Sequence, residues 1–136
     1  MTNVARVLIA IAGYPGEIVG RIMRVKWILP ETVIYQDAAT DRTLTALNGY
    51  PYDSFTYAPN LRRADGRRSV AAAIHDVGWE RGTWDDGSIL TFDENNAAFA
   101  AILAKEKHPA PIRRAYGRGV SAGFMRRKWI RKHGHA

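Results

Sequence analysis

The sequence predicts an α+β domain, a small N-terminal β-meander followed by three packed helices, on three observations. Between Val25 and Leu47 the residues are largely β-formers in alternation, as in Thr32-Val-Ile-Tyr-Gln36 and Thr43-Leu-Thr-Ala-Leu47. From Ser69 onward the apolar residues recur instead at helical spacing. Apolar residues make up 46% of the 136 positions and charged residues 24%, a balance that buries a core without staples. The expected organisation is a single domain over residues 1–136: an N-terminal helical segment (1–24), a core carrying a His-Asp helix (25–106) and a basic C-terminal helix (107–136).

Taken in order, Val4, Val7, Leu8 and Ile11 share one side of a short helix that Thr2 or Asn3 can cap. Tyr14-Pro-Gly16 is a turn, and Ile18, Val19, Ile22 and Met23 mark a second helical piece. Strands follow at Val25–Leu29, Thr32–Gln36 and Thr43–Leu47, with Asn48-Gly49 as a strong turn signal and Tyr50–Pro59 as loop. In Ser69–Gly82, Val70, Ile74 and Val77 form an apolar stripe with Ala71, His75 and Trp79 beside it. Gly82 supplies the left-handed residue that ends this helix. Thr91 with Glu94 matches a capping box and opens a helix from Phe92 to about Lys107, with Phe99, Ile102 and Leu103 on its apolar face and Asn96 on the same side. Pro111 then fits the first turn of a last helix. Its stripe is Ile112, Tyr116, Val120 and Phe124, with Gly119 and Gly123 allowing close approach by a neighbour.

The net charge of +7 is concentrated at one end: residues 107–136 contain nine Lys or Arg and no acid, whereas the preceding 106 carry a slight acidic excess. Arg113, Arg114, Arg118, Arg126, Arg127, Lys128, Trp129 and Arg131 form the candidate partner-binding set, because arginine interleaved with aromatics suits an acidic protein surface, nucleic acid or an anionic membrane. The N-terminal apolar run, Val7–Ala12, is far short of the roughly 18 residues of a membrane span. The turn that follows it lacks the small-residue pattern of signal cleavage. With no cysteine, any metal would be held by oxygen or imidazole.

His75-Asp76 is the strongest candidate for chemistry. Neighbours on a helix point about 100° apart, so the two do not bond each other; a third group must orient the imidazole while the carboxylate faces elsewhere. Asp53 and Asn96 are the candidates for the remaining positions. The competing reading is a packed histidine beside an exposed helix acid.

The order of Trp27–Tyr35, Thr43–Tyr50, Asp53-Ser-Phe-Thr56, Ala73-Ile-His75-Asp76-Val-Gly-Trp79 and Glu94-Asn95-Asn96-Ala-Ala-Phe99 resembles a phage and prophage family, domain-of-unknown-function family 1353. The same order is similar to that of microbial secreted phospholipases A2. That resemblance implies a phospholipase A2-like helical core, with His75 as the base, Asn96 as the group orienting it, and Asp76 and Asp53 around a calcium ion. Such a site would cleave esters during envelope penetration or lysis. Three residues depart from the pattern: Ser54 replaces a loop glycine, Trp79 a tyrosine, and Asn96 an aspartate. An amide orients an imidazole but gives imidazolium no charge stabilisation. The sequence therefore favours a non-enzymatic, virion-associated structural or assembly component in contact with other virion proteins, located in the virion or the host cytoplasm, over a calcium-dependent hydrolase.

Overall fold

The computed structural model describes residues 26–53, 63 and 69–136, so the helices expected over residues 3–12 and 17–24 lie outside the described residues. Four strands come first, β1 (Lys26–Ile28), β2 (Val33–Gln36), β3 (Thr43–Ala46) and β4 (Pro51–Asp53). Four helices follow, α1 (Ala71–Arg81), α2 (Phe92–Lys105), α3 (Ala110–Val120) and α4 (Gly123–His133). The α+β class is as predicted.

The strands are one interrupted antiparallel ribbon rather than a meander. β1 pairs with β4, Ile28 opposite Pro51, and β2 with β3, Val33 opposite Ala46, so the register carries through unchanged. Pro30 lacks the N–H a ladder needs. Opposite it, Asn48-Gly49 kinks the returning strand, with Gly49 at φ 87°. Pairing survives between them through Leu29 N–H to Tyr50 O at 3.0 Å and Gly49 N–H to Leu29 O at 2.9 Å. Alternation puts Leu44 and Ala46 inside and Thr43 and Thr45 toward the rim.

α1 is the central element and packs on α2, β3 and β4. Ala71, Ala72, Ala73, Ile74 and Val77 are buried there, the small residues allowing close approach as their spacing implies. Gly82 ends α1 at φ 64°. A larger residue there would be strained at that φ and would displace the His133 ring, because a Cβ would lie 2.5 Å from it. Between α1 and α2 a tight loop is stapled to β3: Asp85 accepts hydrogen bonds from Thr43 Oγ1 and Thr45 Oγ1 at 2.7 and 2.6 Å and pairs with Arg81 at 2.9 Å. Burial alone would raise the Asp85 pKa, but these bonds outweigh it and hold the carboxyl below its ordinary range.

The capping box of α2 is formed in both directions, Glu94 N–H to Thr91 Oγ1 at 3.1 Å and Thr91 N–H to Glu94 Oε1 at 2.9 Å. The two carboxylates of this first turn also tie the layers together. Glu94 pairs with Arg42 of the ribbon at 2.6 Å, and Asp93 with Arg126 of α4 at 2.7 Å.

The basic C-terminal segment is two helices, not one. Ala122 adopts an extended conformation (ψ 145°), and Ser121 turns its hydroxyl back to the Gly117 carbonyl at 2.6 Å. The glycines at 117, 119 and 123 weaken the helix around this point. The break lets Trp129 pack against both Trp79 and Phe92, with ring centroids 5.3 and 6.0 Å away, while those two rings touch each other at 6.4 Å. As a result the expected stripe is split. Val120 is buried, Ile112 and Tyr116 are half-buried, and Phe124 is rotated out to 53% exposure. Among the described residues no neighbour lies within 4 Å of a Cβ placed at Gly119, and Gly123 meets only the Arg127 side chain, so neither glycine serves a close contact with a described helix.

Candidate functional site

α1 and α2 bring together His75, Asn95 and Asn96. His75 is 6% exposed, and its Nε2 lies 3.1 Å from Asn96 Oδ1. With that oxygen accepting, the imidazole carries its proton on Nε2 and keeps its lone pair on Nδ1, the nitrogen left for any base chemistry. The ring is wedged against Phe99 edge-on, 5.3 Å between centroids, and near Trp79 at 6.1 Å. Burial lowers the imidazole pKa from 6.5 to about 4, while the Asn96 bond acts in the opposite direction. The ring is therefore neutral at pH 7 and a weak proton acceptor compared with a base tuned near the working pH.

Asn95, which sequence reasoning passed over in favour of Asn96, is the more deeply buried amide. It is fully enclosed, and its Nδ2 donates to the His75 carbonyl at 3.1 Å. Gly78 makes room for it, since a Cβ there would fall 1.9 Å from Asn95 Oδ1. The available signal was its spacing to Phe99, four residues later on the buried side of α2. Asn96 sits at the edge of that face and reaches sideways to the imidazole. Each amide has one buried polar atom without a hydrogen bond among the described residues, Asn95 Oδ1 and Asn96 Nδ2.

The other site residues are not gathered by what is described. Asp76 is half-buried on α1, one position past His75. Asp53 ends β4 opposite Lys26, and the loop over residues 54–62 lies outside the described residues. Calcium takes six to eight oxygen ligands. Among the described residues no group of three or more His, Asp or Glu side chains is close enough to hold an ion, so they do not form a calcium set by themselves.

A second buried polar cluster carries no motif in the sequence. Glu106 Oε1 accepts from Ser69 Oγ at 2.6 Å and from His108 Nε2 at 3.0 Å, and Oε2 accepts from the Val70 N–H at 3.0 Å. α1 has no acid in its first turn, and Glu106, from the end of α2, supplies the missing carboxylate. Lys107 at φ 62° turns the chain so that both Glu106 and His108 face inward.

The candidate binding residues divide into two groups. Trp129 is wholly buried, so it anchors α4 rather than a partner. Arg126 pairs with Asp93 and lies over the Phe92 ring at 4.8 Å, and Arg113 donates to the His108 carbonyl at 3.1 Å. Arg114, Arg118, Arg127, Lys128 and Arg131 are exposed and make no ion pair among the described residues. His133 is an anchor: its Nε2–H donates to the Trp79 carbonyl at 2.7 Å, and its ring packs 4.5 Å from Trp129.

No helix among the described residues is long and apolar enough to cross a membrane. Comparison of the chain with family models, curated proteins and solved structures found no match.

Proposed function

We propose that the protein is a non-enzymatic, virion-associated structural or assembly component that docks on its partners through the outer faces of α3 and α4. The observation that carries this reading is the set of exposed cations at Arg114, Arg118, Arg127, Lys128 and Arg131, which make no ion pair among the described residues, on helices whose inner faces are fixed by Val120, Trp129 and His133. A rigid scaffold with an exposed charged face suits binding, because the side chains are held in place before a partner arrives. The phage assignment itself rests on the motif resemblance. Particles assembled with the wild-type chain should contain it by mass spectrometry. A chain with Arg114, Arg118, Arg127 and Arg131 changed to Glu should be folded but missing from them. Retention of that variant in particles would overturn the reading.

One observation favours the second reading, a calcium-dependent phospholipase or esterase: the His75 ring and Asn96 are within hydrogen-bond distance, as an oriented base requires. That reading predicts ester cleavage abolished by His75→Ala and a melting temperature raised by calcium. Absence of both effects in the wild-type chain would remove it.

A further inference from the structure

We propose that the outer face of α4 binds single-stranded nucleic acid, with a base stacked on Phe124 and the phosphodiester chain on Arg127, Lys128 and Arg131. This assignment rests on the reading of the C-terminal helices as the binding surface and names the ligand class of that surface. The four residues stand at i, i+3, i+4 and i+7, so they share one helix face. Trp129 and His133 occupy the opposite side and hold it against α1, which leaves the outer face presented to solvent. Phe124 is 53% exposed, and Lys128 Nζ lies 5.7 Å from its ring centre, so an aromatic platform and a cation are already adjacent.

Charge and shape together favour this ligand over the alternatives. The face carries three cations with no ion pair among the described residues, and no acid follows Glu106 in the chain. The exposed apolar residues of α4 are Phe124 and Ile130, which lie about 120° apart around the helix. They form neither the continuous apolar stripe by which a helix enters a bilayer nor the apolar centre of a stable protein interface. An isolated exposed aromatic ring among cations matches a strand whose bases are free to stack. A duplex keeps its base faces inside the stack and offers none to Phe124.

The test is fluorescence anisotropy of a labelled oligothymidylate with the full chain. Three phosphate contacts predict that raising salt from about 50 to about 200 mM weakens binding roughly 20-fold. Phe124→Ala should weaken it at least about fivefold and leave binding to a duplex unchanged. Reversal of Arg127, Lys128 and Arg131 to Glu should abolish it, with no change in melting temperature because all three are exposed. Equal affinity of the Phe124→Ala chain overturns the proposal, as does salt-insensitive binding or no binding at low salt. Tight binding to phosphatidylglycerol vesicles that the oligonucleotide fails to displace also overturns it. If these results sink the nucleic-acid assignment while the quadruple arginine variant is still missing from particles, the docking reading stands with another partner. If that variant is retained, the docking reading fails whatever the oligonucleotide does.

Discussion

Buried and neutral, His75 makes folding stability depend on pH. Its native pKa of about 4 lies below the 6.5 of an accessible histidine. Between those values the unfolded chain holds a proton that the native chain lacks. The stability that the neutral ring contributes is thus complete above pH 6.5 and is lost as pH falls toward 4, by about 3 kcal/mol over the whole interval. Between pH 7 and pH 5 the loss from this one group is about 2 kcal/mol. Hydrogen bonds hold the carboxyls of Asp85 and Glu94 below their ordinary values, which keeps their effects beneath that range. Urea denaturation at pH 7 and pH 5 measures the loss in the wild-type chain. His75→Gln, which cannot titrate, should lose about 2 kcal/mol less over the same interval, whatever its stability at pH 7. Equal losses in the two chains, or an imidazole titrating near 6.5 by NMR, would refute the claim that α1 and α2 enclose His75.

Removing Glu106 strands Ser69 Oγ, the Val70 N–H and His108 Nε2 in a buried place, so Glu106→Ala should cost about 3–5 kcal/mol by chemical denaturation. Glu106→Gln should cost clearly less. Gly78→Ala pushes a methyl group against Asn95 Oδ1 and should destabilise by about 1–3 kcal/mol. Much of that cost should disappear in an Asn95→Ala background, so a double-mutant cycle that came out additive would show that the contact is not formed. Trp129→Ala leaves a cavity beside Trp79 and Phe92 and should cost about 3–5 kcal/mol. It should also flatten the near-ultraviolet circular dichroism of the aromatic cluster.

Features encoded within a few residues were legible before any coordinates. The Thr91–Glu94 capping box, the Gly82 terminator and the alternation of Thr43–Ala46 are local, and each formed as its spacing implies. Asn96 was also a candidate partner for His75, first because a third group must orient the ring and then through the resemblance in motif order. The split at Ser121-Ala122 was not, because the continuous spacing of Ile112, Tyr116, Val120 and Phe124 competes with the burial of Trp129, and a one-dimensional pattern cannot weigh the two. Trp84 and His133 were missed for the same reason. Trp84 is buried beneath the Arg42 guanidinium, 4.6 Å away, and the His133 partner is the carbonyl of Trp79, far away in sequence.

By itself the sequence determined the α+β class, the places where α1 and α2 end or begin, and the concentration of positive charge after residue 106. These follow from backbone sterics, capping and composition, which act over a few residues or need no partner. Only the tertiary structure decided which of two adjacent asparagines is enclosed, that Glu106 accepts from the N–H of Val70, 36 residues earlier at the start of α1, and which cations remain exposed. Those outcomes depend on buried polar groups finding partners across the fold. The cost of leaving them unpaired selects among arrangements that local propensity leaves equivalent.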